Sequence, residues 1–447
     1  MKVKNNTLNS DSMKRLFYVL MVLSITFLSC QPSAKKETPS EFIRVENGQF
    51  IKNGQPYYYV GANFWYGAIL ASEGEGGDRE RLHKELDFLK SIGVDNLRIL
   101  VGSDGSNGVT AKVEPTLQKA PGVYNDTILA GLDYLMMELG KRDMSAILYL
   151  NNSWEWSGGY SMYLQWAGKG KAPVPAEDGW PQYMSFVRQF VQCDSAKALF
   201  ANYVKDIITR ENRFTGKKYI EDPAIMSWQV GNEPRAFSDE NKEAFALWIA
   251  DVAAHIRSLD PNHLISTGSE GKHGCEQDIE LFERIHADAN IDYLNLHMWP
   301  YNWGWVKEDS LIEGVEVAKK NAKAYLDEHL AVAAKYQKPV VMEEFGFPRD
   351  GFKFSKDIPT TARDEFYRYI FELISSDAQQ KGLFAGCNFW AWGGFAELSD
   401  DHIYWMKGDD YTGDPAQEQQ GLNSVFAADS STIAVIKSIN TQLGNVK

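Results

Sequence analysis

The chain has 447 residues, 44% of them hydrophobic and 24% charged, the composition of a globular protein long enough to bury one large core. A formal net charge of −14 excludes nucleic acid as a natural partner, because phosphate binding needs basic patches. A neutral substrate fits this balance better, and the 13 tryptophans are the one unusual feature of the composition.

The first element in chain order is not part of the fold. Residues 13–31, MKRLFYVLMVLSITFLSCQ, have a basic start, an apolar run from Leu16 to Leu28, and then Ser29-Cys30. This layout reads as a secretory signal over residues 1–29, with Met13 a candidate start codon. The 13-residue apolar run is too short for a membrane span of about 20. A cysteine after a small residue is similar to a bacterial lipoprotein cleavage site, although Phe27 stands where leucine is usual. The expectation is export, with a lipidated Cys30 anchoring the protein at the bacterial cell envelope, on the outer membrane or cell surface. Ordinary secretion with cleavage nearby is the alternative. Residues 30–41 are then a lipid-anchored polar tether, and residues 42–447 form one catalytic domain. Cys193, Cys275 and Cys387 are an odd set without CxxC spacing, which argues against a disulfide framework or a zinc site.

From Phe42 onward the chain opens with a hairpin pattern around Asn47-Gly48 and Asn53-Gly54. Short apolar runs follow at Tyr57–Trp65, Asn96–Val101, Ala146–Asn151, Ile225–Glu233, Leu264–Gly268, Tyr293–Trp299, Val340–Gly346 and Gly386–Trp392. Helical patterns lie between them at Arg79–Ile92, Thr127–Lys141, Glu240–Leu259, Glu313–Tyr336 and Ala362–Gln380, with a last one at residues 431–443. Near-continuous apolar strands alternating with helices imply a parallel sheet covered on both faces. Eight such units predict an α/β fold, a (β/α)8 TIM barrel, with long loops at residues 152–180, 300–312 and 393–425 on the C-terminal face of the strands.

Active sites of such barrels lie at the C-terminal strand ends. Polar residues concentrate there: Arg98, Asn151-Asn152, Asn232-Glu233, His297 and Glu343-Glu344, with Trp390 and Trp392 after the eighth run. A Glu on the fourth strand and another on the seventh project over one mouth, the pairing that a retaining glycosidase needs for its acid/base and its nucleophile. Arg98 nearby favours an ionised nucleophile, and that charge in turn raises the pKa of the acid. Glu343 and Glu344 point opposite ways on a strand, and the following Phe345-Gly346 favours Glu344 for the cleft. Tryptophans at strand ends and in the loops, Trp154 among them, suit the flat C–H faces of sugar rings. Trp228 and Trp248, inside a strand and a helix, read as core. The chain lacks a His-x-His pair at a strand end, a G-x-S-x-G elbow, a G-x-G-x-x-G loop and a Walker-type loop, so no metal and no organic cofactor is expected.

These residues resemble glycoside hydrolase family 5, and within it the endo-β-1,4-mannanase branch in a bacterial lipoprotein form. The resemblance runs from NGQPYYYVGANFWY (residues 53–66) through VDNLRIL, YLNNSWEWSGG, WQVGNEPR and VVMEEFG to GDPAQEQQGLNSVF (residues 413–426). It implies Glu233 as general acid/base and Glu344 as nucleophile. Asn232 would hold the sugar 2-hydroxyl, Arg98 would orient Glu344, His297 would line the cleavage site, and Trp390 would stack under the sugar, with Trp392 as the fallback. Asn152 and Trp154 complete the expected substrate-binding set. Family members usually carry His-x-Tyr after the sixth strand; here the segment is HMWPYNWGW, leaving Trp299 or Tyr301 to contact the nucleophile. The implied activity is retaining, endo-acting hydrolysis of mannan, glucomannan or galactomannan. An exo-β-mannosidase or β-1,4-glucanase on the same barrel is an alternative, since the loops after the third and eighth strands could close one end of the cleft. A glycan-binding lipoprotein without turnover is the alternative from another class.

Overall fold

The computed structural model describes Met1 and residues 41–446. All of the signal segment after Met1, Cys30 and all but the last residue of the tether lie outside the described residues. The domain opens with three short antiparallel strands, Arg44–Glu46, Gln49–Lys52 and Gln55–Pro56. Both turns have positive φ at their two central residues, Asn47-Gly48 and Asn53-Gly54, the conformation tight hairpins favour. Phe50 on the middle strand is fully buried with its ring edge-on to Tyr293, just before the sixth barrel strand, so this small sheet caps the N-terminal end of the barrel.

Eight parallel strands follow: β1 Tyr59–Asn63, β2 Asn96–Leu100, β3 Ser145–Tyr149, β4 Ile225–Gln229, β5 Leu264–Ser266, β6 Leu294–Met298, β7 Val340–Phe345 and β8 Phe384–Phe389. Every residue in them is buried, which explains why they read as unbroken apolar runs rather than alternating ones. The ladder runs β5-β4-β3-β2-β1-β8-β7-β6. Between β5 and β6 the seam is closed by other means. Asp292 N–H donates to the Ile265 carbonyl at 2.9 Å, and the Asn295 side-chain oxygen accepts from the N–H groups of Thr267 and Gly268 at 2.9 and 2.8 Å.

The outer helices are α1 Arg79–Ser91, α2 Asp126–Lys141, α3 Asp194–Ile208, α4 Lys242–Leu259, α5 Ile279–His286, α6 Val315–Tyr336, α7 Thr361–Gln380 and α8 Ser430–Leu443. Asp78 caps α1 and Asn125 caps α2, each accepting a backbone N–H of the first turn. The segment expected as an open loop after β3 instead folds into helical turns at Gly159–Trp166, Pro175–Asp178 and Trp180–Val187. Its aromatic side chains supply the reason: Tyr160 stacks on Phe190 at 4.0 Å and meets Trp248 edge-on, while Tyr163 packs on Phe200.

Asn295→Ala would strand two buried N–H donors at the seam. The expected cost is roughly 2–4 kcal/mol of unfolding free energy, read from denaturant titration. An unchanged midpoint would show that the seam closes without this side chain.

Candidate active site

The C-terminal ends of β2, β4, β6 and β7 converge on one buried polar cluster. Its centre is Arg98 on β2, which is fully buried. Its Nε donates to Gln229 Oε1 at 2.8 Å, Nη2 to Asn232 Oδ1 at 2.8 Å, and Nη1 to Asn63 Oδ1 at 3.1 Å and Glu344 Oε1 at 2.5 Å. Its guanidinium also lies 4.5 Å from the centre of the Tyr149 ring.

Glu344 reaches this position through a shift in strand register. Leu296 pairs with Met342, but His297 pairs with Glu344, so Glu343 is the extra residue of a bulge. Glu343 turns into the barrel instead, accepting from Gln229 Nε2 at 2.5 Å and the Tyr293 hydroxyl at 3.1 Å. Burial pushes its carboxyl up to about 7.

Glu233 follows β4 with a φ of 51°, left-handed backbone that costs a non-glycine residue about 1–3 kcal/mol. Its surroundings hold it there. Glu233 N–H donates to the Gly268 carbonyl at 2.9 Å, its own carbonyl accepts from the Ser153 hydroxyl, and Asn232 N–H donates to the Asn151 carbonyl at 2.7 Å. Gly268 must be glycine here: its φ is 76°, and a Cβ would sit 1.8 Å from the Gly231 carbonyl oxygen. The Glu233 carboxyl accepts from Trp154 Nε1 through Oε2, and its Oε1 lies 2.8 Å from His297 Nδ1. The same imidazole nitrogen lies 3.4 Å from Glu344 Oε2. One oxygen each of Glu233 and Glu344 and one His297 nitrogen all fall within 4.8 Å of one another.

Burial pushes both carboxyls above the usual carboxylate range; Arg235, the Trp154 N–H and Arg98 pull Glu233 back, and Arg98 pulls Glu344 back while the Glu233 charge raises it. Arg98 touches Glu344 and reaches Glu233 only at longer range, so a proton kept by the pair belongs on Glu233. Burial and the Arg98 charge hold His297 well below its usual range and therefore neutral.

Other expected residues take different places. Asn152 is 1% exposed and spends its amide inside the protein: Nδ2 donates to Ser157 Oγ at 2.9 Å, and Oδ1 accepts from Asn232 Nδ2 and Trp154 N–H. It positions Asn232 and Trp154 rather than meeting a ligand. Trp392 is fully buried with its N–H on Glu85 at 2.6 Å, away from the cleft. Trp390 instead packs edge-on between Trp156 and Trp299. Neither Trp299 nor Tyr301 hydrogen-bonds Glu344; Trp299 lies against Gly346, and Tyr301 packs on Phe352 at 4.8 Å. Arg98 and His297 supply the contacts of Glu344.

Sequence reasoning missed Glu418, in the loop after β8. Burial and the charges of Asp414 and Glu233 push its carboxyl well above the usual range, against the pull of the Trp390 N–H. Its signal was the polar run Gln417-Glu418-Gln419-Gln420 inside a loop that also carries Asp-Pro. Asp414 fixes this loop by accepting from the N–H groups of Gly421, Asn423 and Ser424 and from the Ser424 hydroxyl. Arg349 clamps its return end through a two-pronged pair with Asp429, both contacts at 2.7 Å. Arg235, paired with buried Glu270 at 2.7 Å beside the cluster, was likewise not singled out.

The chain has relatives along most of its length. It is 30% identical over 393 residues to mannan endo-1,4-beta-mannosidase 7 of Arabidopsis thaliana, covering 85% of this chain and 84% of that protein. A putative mannan endo-1,4-beta-mannosidase 9 of Oryza sativa subsp. japonica is 28% identical over 390 residues, 83% of this chain and 86% of its own. The crystal structure of a glycoside hydrolase family 5 mannosidase from Rhizomucor miehei superposes with a TM-score of 0.83 at 33% identity, covering 91% of this chain and 98% of that one. An endo-1,4-beta-mannanase from the same fungus shares the fold, with a TM-score of 0.63 at 22% identity and coverage of 90% and 99%. The family model for β-mannosidase-like members of glycoside hydrolase family 5 matches residues 40–447, and the chain belongs to that family of glycoside hydrolases.

Proposed function

We propose that this enzyme hydrolyses β-1,4-mannosidic bonds with retention of configuration, as an endo-β-1,4-mannanase acting on mannan, glucomannan or galactomannan. One observation carries the chemistry: two buried carboxyls with oxygens within 4.8 Å, one bound to an arginine and the other not. Retaining glycosidases place their carboxyls about 5–5.5 Å apart, whereas inverting ones leave about 6.5–9.5 Å for a water.

In the first step the Glu344 carboxylate bonds to the anomeric carbon as the glycosidic C–O bond breaks, and Glu233 gives its proton to the departing oxygen. In the second, Glu233 takes a proton from water, whose oxygen attacks the same carbon and releases Glu344. Arg98 keeps Glu344 ionised. It also orients the Asn232 amide: Oδ1 is taken by the guanidinium, one N–H of Nδ2 goes to Asn152 Oδ1, and the other N–H is the donor for the sugar 2-hydroxyl. Trp390 forms an aromatic wall for the sugar ring. The plant relatives named for endo-acting mannan hydrolysis support the substrate. So does the Rhizomucor miehei mannosidase, a mutant of which was solved with mannosyl-fructose. Export and lipid anchoring through Cys30 belong to this proposal on the motif of residues 13–31 alone.

A second reading, exo-acting β-mannosidase, is favoured by Glu418. The pinned loop after β8 sets the Glu418 carboxyl near Glu233 and the Trp390 N–H, where it could accept from hydroxyls of a terminal mannose. A wall at that place would close one end of the cleft.

Mannohexaose separates these two readings. Early mixed oligosaccharides establish endo attack, stepwise release of mannose establishes exo attack, and intact substrate removes both. Glu344→Ala should abolish turnover. Glu233→Ala should lower it about 10²–10⁴-fold on mannohexaose, with azide restoring rate on an activated aryl mannoside; a near-normal rate would remove the acid/base assignment. Arg98→Lys should shift the acid limb of the kcat/KM profile to higher pH by about one unit or more. The sign follows because losing the guanidinium raises the pKa of a group that must be ionised. An unmoved acid limb would show that Arg98 does not set the Glu344 charge.

A further inference from the structure

Glu233 is gripped at both carboxyl oxygens: Oε2 accepts from the Trp154 indole, and Oε1 meets His297 Nδ1. When Nδ1 carries the imidazole proton both partners donate, which suits the ionised carboxylate; when Glu233 carries a proton, Nδ1 must accept it. A carboxyl that has to carry and release a proton needs at least one partner able to stop donating.

The two partners differ in this respect. His297 is neutral and its Nε2 has no protein partner, so its proton can move to Nε2 and leave Nδ1 as an acceptor. Indole N–H has no such option, because it only donates. The Trp154 ring is also well fixed. Its backbone N–H donates to Asn152 Oδ1 at 3.0 Å, and the Arg235 guanidinium lies 5.2 Å from the ring centre, itself bonded to Glu270. Phe237 and the half-exposed Trp180 meet the ring edge-on at 5.7 and 5.8 Å.

We propose that Trp154 is a positioning residue whose indole N–H holds the Glu233 carboxyl and biases it toward its ionised form. That bias serves the second step, where Glu233 acts as base, and opposes the first, where it must hold a proton. This rests on the acid/base reading of Glu233 given above. The other charged groups facing Glu233 are Arg98, Glu344, Glu270, Arg235 on its own segment, and Glu418. The guanidiniums favour the ionised form, as Trp154 does, while the carboxylates and burial oppose it. Unlike Arg98 and His297, Trp154 makes no contact with Glu344, so its loss acts on Glu344 only through the charge of Glu233.

The test is the kcat/KM profile of the full-length enzyme on mannohexaose against pH. Trp154→Phe removes the donor and keeps an aromatic ring. Glu233 must be protonated in the first step, so a raised pKa moves the alkaline limb to higher pH, by about one unit for a hydrogen bond to a charged group. Trp180→Ala, at a rim position 49% exposed, loosens the ring without touching the barrel and should move the same limb the same way by less. If both variants keep the wild-type alkaline limb and change only KM, Trp154 is a wall for the sugar and the proposal is overturned. Should Trp154→Phe fail to fold, an unmoved limb in Trp180→Ala overturns it on its own. Wild-type enzyme inert on mannohexaose, or a Glu233→Ala variant at full rate, would instead remove the reading on which the proposal rests.

Discussion

The Arg98 guanidinium is the interaction on which both the barrel mouth and its chemistry depend. Its hydrogen bonds reach β1 through Asn63, the end of β4 through Gln229 and Asn232, and β7 through Glu344. A buried cation costs several kcal/mol of lost hydration unless its donors are satisfied and an opposite charge is near. Here every donor nitrogen has an acceptor, and one acceptor is the carboxylate that must stay ionised. Stability and catalysis therefore ask for the same geometry, which is unusual for a functional site.

The loop after β8 follows a related logic at the rim. Thirty-three residues without long secondary structure, residues 393–425, would be expected to move, yet this stretch is tied down from inside. Asp414 gathers the backbone N–H groups of the tight turn at Gly421–Ser424, and Arg363 donates to the carbonyls of Leu422 and Ser424 at 2.6 and 2.8 Å. Trp65 adds a bond from its N–H to the Gly413 carbonyl at 2.9 Å. These contacts fix Glu418 at the expense of loop freedom, so the side of the cleft it borders has a set shape before a sugar arrives.

Strand positions, most helix positions and the polar strand ends were legible because a barrel strand is buried on both faces and can turn chemical only where it stops. Bulge geometry was legible in part: the alternation of Glu343 and Glu344 placed them on opposite sides, but not that the extra residue would face Tyr293 and Gln229. Asn152 misled, because an amide at a strand end looks the same whether its donors meet a ligand or Ser157. Trp392 misled for a similar reason, its partner Glu85 lying 307 positions away. Glu418 was invisible because nothing local sets where a long loop folds back. The helical turns after β3 were readable in principle, from Tyr160 and Tyr163, but a segment rich in Gly and Trp reads first as loop.

Glu343 bears on how one arginine can serve two adjacent carboxyls. Its Oε2 lies 3.8 Å from Arg98 Nε, so it competes with Glu344 for a single positive charge. The competition is settled by what else each carboxyl is given. Glu343 receives only neutral donors, a tyrosine hydroxyl and a glutamine amide, and burial leaves it titrating at about 7. Glu344 receives the guanidinium directly at 2.5 Å. A Glu343 able to hold a proton near neutral pH makes little demand on Arg98, and the charge is then free to act on its neighbour. The pair of consecutive glutamates thus works because the bulge gives them unequal partners, neutral donors for Glu343 and the guanidinium for Glu344.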